Sequence, residues 1–144
     1  MNTKNLIIPL AVATLALSAP ASAKTFTAVC SNIQGTRVDL EQSGFAWDKD
    51  RLRDASWTFS WQSDQDEVFM VMQNSAAAGG KQFSQRGFKI QDLDTHVTII
   101  SPLPRAVWVY TIYMVGSLIV SQHTTDNTNI LPSAKLMTGS CRMT

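Results

Sequence analysis

The chain has 144 residues, of which 44% are hydrophobic and 16% are charged, with Gly 7 and Pro 5. This composition excludes the disordered, collagen-like and low-complexity classes and predicts one small globular domain. The 12 basic side chains nearly balance the 11 acidic ones, which argues against a protein that binds nucleic acid or an anionic membrane through a basic surface.

Residues 1–23 have the features of a secretory signal peptide. Lys4 is followed by an apolar stretch from Leu6 to Leu17, and Ala21-Ser22-Ala23 forms a cleavage site of small residues. The apolar stretch is shorter than the roughly 20 residues that a membrane-spanning helix needs. We therefore expect cleavage after residue 23, a periplasmic or secreted protein with no membrane span, and one β domain over residues 24–144.

Most of this domain alternates apolar and polar residues with the period of two that β-strands have. In Ser56–Gln62, the most regular segment, Trp57, Phe59 and Trp61 share one face. Further strands are expected over Lys24–Cys30, Arg37–Leu40, Glu67–Gln73, Gln82–Ile90, Thr95–Ser101, Val107–Val115, Leu118–Thr124 and Ala134–Cys141. The predicted fold is all-β, a small antiparallel barrel or sandwich of about 7 to 9 strands.

Three connections carry specific expectations. Ser63–Asp66 is predicted to be a polar hairpin turn, and Asp48–Asp54 a charged loop or a helical turn. Gly116 and Ser117 are predicted to form a two-residue hairpin loop, because glycine at the first loop position supplies the positive φ that a type II′ turn needs.

The only two cysteines are Cys30, near the start of the predicted mature chain, and Cys141, near its end. In an oxidising compartment such a pair is expected to form one structural disulfide. No C-x-x-C motif is present to suggest a redox or metal function. The bridge would hold the first and last strands together, as happens when a sheet closes into a barrel.

The sequence contains none of the common nucleotide-binding, zinc-protease or serine-hydrolase motifs. A serine nucleophile would need His96 or His123 as its base, and both are expected to be structural or surface residues. Asp92, Asp94 and His96 would share one face of an extended strand and could bind a divalent cation, although a polar turn explains the same residues. We therefore expect a protein that is not an enzyme and has no cofactor.

Two methionines suggest a Cu(I) hypothesis. Met70 and Met72 would share one face of a strand whose hairpin neighbour carries Trp61, and thioethers with a histidine suit Cu(I). The arrangement resembles small periplasmic copper-carrying barrels, with His96 or His123 as a further ligand. Methionine in an apolar strand is also a common core residue, so Met70, Met72 and His96 are candidates for a metal site beside a core role.

Four aromatic residues are candidates for lining a ligand pocket: Trp57, Phe59, Trp61 and Trp108. A barrel of about eight strands is either filled by its own side chains or holds one small apolar ligand, as in lipocalin-like proteins. Because the domain is small, an ordinary packed core is the alternative role for the same residues.

Several features together resemble a loose group of small exported bacterial β-barrel proteins. They are the leader, the strand from Phe26 to Cys30, the W-x-F-x-W strand, the long aromatic strand Val107–Val115, and Gly139-Ser140-Cys141-Arg142 near the end. Periplasmic lysozyme inhibitors share this outline, but their Ser-Gly-x-x-Tyr and Lys-Gly loops are absent from the sequence. The resemblance implies an exported, non-enzymatic binding or accessory protein of unknown ligand. The alternatives are an inhibitor of an envelope-directed hydrolase, which would present a loop such as Asp48–Asp54 or Ala76–Lys81, and a carrier of Cu(I) or a small apolar ligand.

Overall fold

The computed structural model describes residues 22–41, 43–52, 55–75, 80–125 and 132–144. The predicted signal peptide therefore lies outside the described residues, except for its last two positions. The described chain forms β-strands throughout: β1 Thr25–Glu41, β2 Gly44–Leu52, β3 Ser56–Gln62, β4 Glu67–Ser75, β5 Lys81–Leu93, β6 His96–Leu103, β7 Ala106–Tyr113, β8 Ser117–Thr124 and β9 Ser133–Met143.

Eight of these strands close into an antiparallel barrel. β1 pairs with β3, each strand from β3 to β8 pairs with the next, and β9 returns to pair with β1. β2 is the extra strand and forms a hairpin with the second half of β1. The prediction of an all-β antiparallel barrel is therefore confirmed.

The length of β1 explains how one strand edge holds two partners. β1 has 17 residues; its first part pairs with β3, and its part from Ile33 onward pairs with β2. On the other edge, the register with β9 shifts between Ser31 and Gln34, where Asn32 has a φ of 55°. Asparagine tolerates this left-handed conformation, and such a bulge bends the strand and increases its twist. The second half of β1, together with β2, therefore continues the barrel wall beyond the first residue of β3.

The disulfide joins the two strands that close the barrel. Cys30 of β1 and Cys141 of β9 are directly opposite each other in the ladder, with their Cα atoms 4.0 Å apart. The predicted bridge is confirmed, and it links the beginning and the end of the domain across one strand pair.

Alternate side chains of the barrel strands fill its interior. Tyr110 lies at the centre, with its ring centroid 5.9 Å from that of Trp57 and 5.2 Å from that of Phe59. The side-chain amide nitrogen Nε2 of Gln85 donates a hydrogen bond of 2.6 Å to the Tyr110 hydroxyl. Burial raises the pKa of Tyr110 well above its ordinary value, because a phenolate there would lose its hydration; the hydrogen bond from Gln85 opposes this only partly.

The polar turn Ser63–Asp66 is confirmed between β3 and β4. The prediction of a loop or helical turn over Asp48–Asp54 is wrong for its first five residues, which belong to β2, and residues 53 and 54 lie outside the described part of the chain. Asp48 and Lys49 are accommodated in this strand because both are exposed to water, and charged side chains are common on strands at the edge of a sheet.

The loop between β7 and β8 is one residue longer than predicted. Tyr113 pairs with Ser117, so the loop consists of Met114, Val115 and Gly116. The N–H of Gly116 donates to the carbonyl of Tyr113 at 2.9 Å, and its φ is 91°. This is a three-residue hairpin loop in which the last residue, rather than the first of two, needs a positive φ.

Candidate binding surface

The four predicted ligand-pocket residues all point into the barrel. Trp57, Phe59 and Trp61 are at most 2% exposed, and Trp108 is half-buried against them. The Trp108 ring lies 6.0 Å from Trp57 and stacks on Tyr110 at 5.9 Å. The structure therefore gives these side chains a core role, and ligand binding by them stays a prediction.

The candidate metal residues are on opposite sides of the barrel wall. Met70 and Met72 are buried in the interior core. His96 faces outward, where its Nε2 is 3.1 Å from the Gln91 side-chain oxygen and its Nδ1 is 3.0 Å from the Thr95 hydroxyl. The structure does not bring His96 to the two methionines.

The structure also does not place Asp92 and Asp94 on one strand face with His96, as the metal hypothesis required. Leu93 pairs with His96, so Asp94 lies in the hairpin turn between β5 and β6. Asp92 forms an ion pair of 2.7 Å with Lys89 instead. Over the described residues, His, Cys, Asp and Glu form no group of three that could hold a metal ion.

The most exposed aromatic side chains of the described residues are on β2. Phe45 and Trp47 are each 73% exposed, whereas Phe69 and Phe88, on other strands, are 47% and 48% exposed. Phe45 and Trp47 alternate with Ala46, so they share one face of the strand. That face is the outside of the sheet.

Four neighbouring strands bring further side chains onto the same outer face. Trp47 of β2 is opposite Val38 of β1, Val38 is opposite Ala134 of β9, and Ala134 is opposite His123 of β8. In the adjacent row, Leu136 lies between Thr36 and Ser121. Successive side chains of a strand point to opposite faces. Because Met137 points into the core, its neighbour Leu136 points outward, and the residues paired with it do the same.

A groove of about 480 Å³ lies on this outer face. We call it the outer groove, and its lining residues are Thr36, Val38, Trp47, Ser121, His123, Ala134, Lys135 and Leu136. A smaller depression of about 230 Å³ beside Leu40, Phe45 and Pro132 continues it towards the β1–β2 turn.

The outer groove combines an apolar floor with a few polar groups. Val38, Ala134 and Leu136 supply the aliphatic surface, and the Trp47 indole supplies a flat wall at the β2 side. The His123 imidazole lies on the β8 side and can donate or accept a hydrogen bond. Small-molecule sites commonly have this composition and occupy about 300 to 1,000 Å³.

Sequence reasoning did not identify this surface. The available signal was the alternation of Phe45 and Trp47 with Ala46 and Asp48, which is typical of a strand with one aromatic face. Of the two loops proposed for an inhibitor, Asp48–Leu52 is strand, and Gly80 is a turn before β5, which begins at Lys81. Residues 53, 54 and 76–79 lie outside the described residues.

Comparison with protein families, curated proteins and solved structures finds no match to this chain. Its class is therefore defined by the fold alone: a small antiparallel β-barrel with an extra edge strand and a disulfide between the first and last strands. Within the described ranges there is no helix long and apolar enough to cross a membrane. The disulfide is compatible with export to an oxidising compartment.

Proposed function

We propose that this protein is an exported, non-catalytic binding protein that holds a small ligand with a flat, apolar body in the outer groove. The observation that carries the proposal is the Trp47 indole, 73% exposed beside a groove of about 480 Å³. An indole of this exposure keeps a large apolar area in water, and a stacked ligand would cover it.

The packing of the barrel favours an external site over an internal one. The ring of Tyr110 contacts those of Trp57 and Phe59 inside the barrel, and each of the three side chains is at most 2% exposed. The interior of an eight-stranded barrel is just wide enough for side chains to fill, so we place the binding site on the outer face instead.

The polar groups of the groove suggest what the ligand carries besides its apolar body. His123 and Ser121 are neighbours on β8 and face the groove opposite Trp47. A hydroxyl or amide on the ligand would find hydrogen-bonding partners there while its flat part stacks on the indole. The proposed ligand is therefore amphipathic, and the proposed compartment is the periplasm or the medium, which the predicted signal peptide supports.

Native mass spectrometry of the protein isolated from the envelope of its own cells tests this proposal. The wild-type protein should carry a bound small molecule, and Trp47→Ala should lose it because the flat wall of the groove is gone. Phe88→Ala is the matched control, since Phe88 is an exposed aromatic residue, 48% accessible, on another part of the outer surface. A wild-type protein with no bound molecule, or equal occupancy in Trp47→Ala, would reject the proposal.

A further inference from the structure

Within the described residues, β2 has a strand partner along only one edge of its backbone. Among the described strands it pairs only with β1, so every second N–H and C=O along its nine residues points away from the sheet. The strand contains no proline that would block another strand from pairing. Phe45 and Trp47 stand exposed beside this edge. A free edge of this length is a template for strand addition.

We propose that a second copy of this chain pairs its own β2 with this edge, antiparallel and about a two-fold axis at Trp47. An axis perpendicular to the sheet keeps the outer faces of both copies on the same side. Trp47 then lies opposite the partner's Trp47, and Phe45 lies opposite the partner's Lys49. The interface is self-complementary, as two-fold symmetry requires.

The charges along β2 exclude the registers centred on Asp48 and Lys49. An axis at Asp48 would place the two Asp48 carboxylates directly opposite each other. An axis at Lys49 would do the same with the two Lys49 ammonium groups. Like charges in directly opposite positions destabilise an antiparallel pair. The axis at Trp47 instead places Asp48 opposite Ala46 and Lys49 opposite Phe45, where a cation can lie over an aromatic ring.

An axis at Ala46 would also avoid like-charge pairs, but it is less complete. It lies two residues from Gly44, the first residue of β2, so the paired segment would be short. It would also leave Lys49 without an aromatic partner. An axis at Ala46 would place Phe45 opposite the partner's Trp47, so both registers use the two exposed aromatic residues. The register centred on Trp47 is favoured because it pairs the strand from Gly44 to Asp50, whereas the axis at Ala46 pairs only Gly44 to Asp48.

This dimer does not depend on the proposed ligand. Strand pairing uses the backbone edge of β2, whereas the ligand would lie on the outer face of the sheet. Phe45 lines the smaller depression that continues the groove but is not among the lining residues of the outer groove itself. A substitution at Phe45 therefore tests the dimer without changing a residue that lines the outer groove.

Two variants that place opposite charges at position 45, Phe45→Lys and Phe45→Glu, provide the test. Their dimer dissociation constants are measured by analytical ultracentrifugation of the oxidised protein at micromolar concentrations. Phe45→Lys places two symmetry-related pairs of like charges at the interface, and Phe45→Glu places two opposite-charge pairs there. The dimer dissociation constant should be at least about tenfold higher for Phe45→Lys than for Phe45→Glu, because both pairs change sign. Phe88→Lys, a control on a different strand, should leave the dimer unchanged.

The proposal stands if the wild type, Phe45→Glu and Phe88→Lys sediment as dimers while Phe45→Lys dissociates. It is overturned if the wild type is a monomer, or if both variants at position 45 behave alike. Circular dichroism establishes that each variant is folded. Ligand occupancy of Phe45→Lys reports separately on the outer groove, so the two proposals can fail independently.

Discussion

Cys30 and Cys141 are directly opposite each other in the antiparallel ladder between β1 and β9, with their Cα atoms 4.0 Å apart. The bond between them joins residues separated by 111 positions in the chain. Because those two strands close the barrel, the bond fixes the ring of strands at its closing pair.

Reduction of this disulfide should destabilise the protein by about 4 to 5 kcal/mol, because a closed loop of this length restricts the unfolded chain strongly. For a domain of this size, the melting temperature should fall by roughly 10 °C or more. Scanning calorimetry with and without a reductant measures the shift, and Cys30→Ser with Cys141→Ser should reproduce it. An unchanged melting temperature, or two free thiols in the oxidised protein, would contradict this role.

The buried hydrogen bond between Gln85 and Tyr110 should behave as a coupled pair. Tyr110→Phe removes the acceptor of the 2.6 Å bond and leaves the Gln85 amide with only the weak acceptor Met70 Sδ, at 4.0 Å, at an expected cost of about 1 to 3 kcal/mol. Gln85→Met in the same chain should recover part of that loss, since the unpaired polar group is then gone. Urea unfolding of both single variants and the double variant gives the coupling; strictly additive effects would show that the bond contributes nothing.

Stability should also fall at alkaline pH because of Tyr110. Burial raises its folded-state pKa, while in the unfolded chain the hydroxyl titrates near its usual value of about 10. Above that pH the unfolded state loses a proton that the folded state retains, so the contribution of this group declines by up to about 1.4 kcal/mol per pH unit. The difference in unfolding free energy between wild type and Tyr110→Phe should therefore shrink above pH 10, and a constant difference would refute this.

Gln122 should tolerate an apolar replacement. The residue is 7% exposed, and its Oε1 atom has no hydrogen-bond partner within the part of the chain that the structure describes. Gln122→Met removes an unsatisfied acceptor, so the change should be neutral or stabilise the fold by up to about 1 kcal/mol. Gln85→Met, which removes the hydrogen bond to Tyr110, should destabilise the fold. Thermal unfolding of both variants measures the two changes. If Gln122→Met instead destabilised the fold by more than about 1 kcal/mol, the Gln122 amide must have a hydrogen-bond partner in solution.

Local patterns predicted the strands well where one strand face is buried. Ser56–Gln62 alternates large aromatic residues with serine and threonine, and it forms β3 with those aromatic residues in the core. The disulfide followed from the presence of only two cysteines. Both inferences depend on short segments or on composition, which the sequence shows directly.

Apart from the closing pair of first and last strands, which the two cysteines predicted, the features that depend on pairing between distant segments were not predicted. The bulge at Asn32 merges two expected strands into β1, and the position of β2 follows from that merger. The outer groove needs Trp47 and His123 on one face, although they belong to strands far apart in the chain. Periodicity within a segment carries no information on which segment lies beside it, so this site became visible only in the folded barrel.

Chemical-shift mapping with 1-anilinonaphthalene-8-sulfonate as the probe tests the outer groove most directly. The probe combines flat aromatic rings with one polar group, as the proposed ligand does. Saturable binding should shift the signals of Val38, Ala134 and Leu136 and the indole N–H of Trp47, and Trp47→Ala should weaken binding roughly tenfold or more. Shifts centred near Phe69 and Phe88, or binding that Trp47→Ala leaves unchanged, would contradict the assignment of the groove as the binding surface.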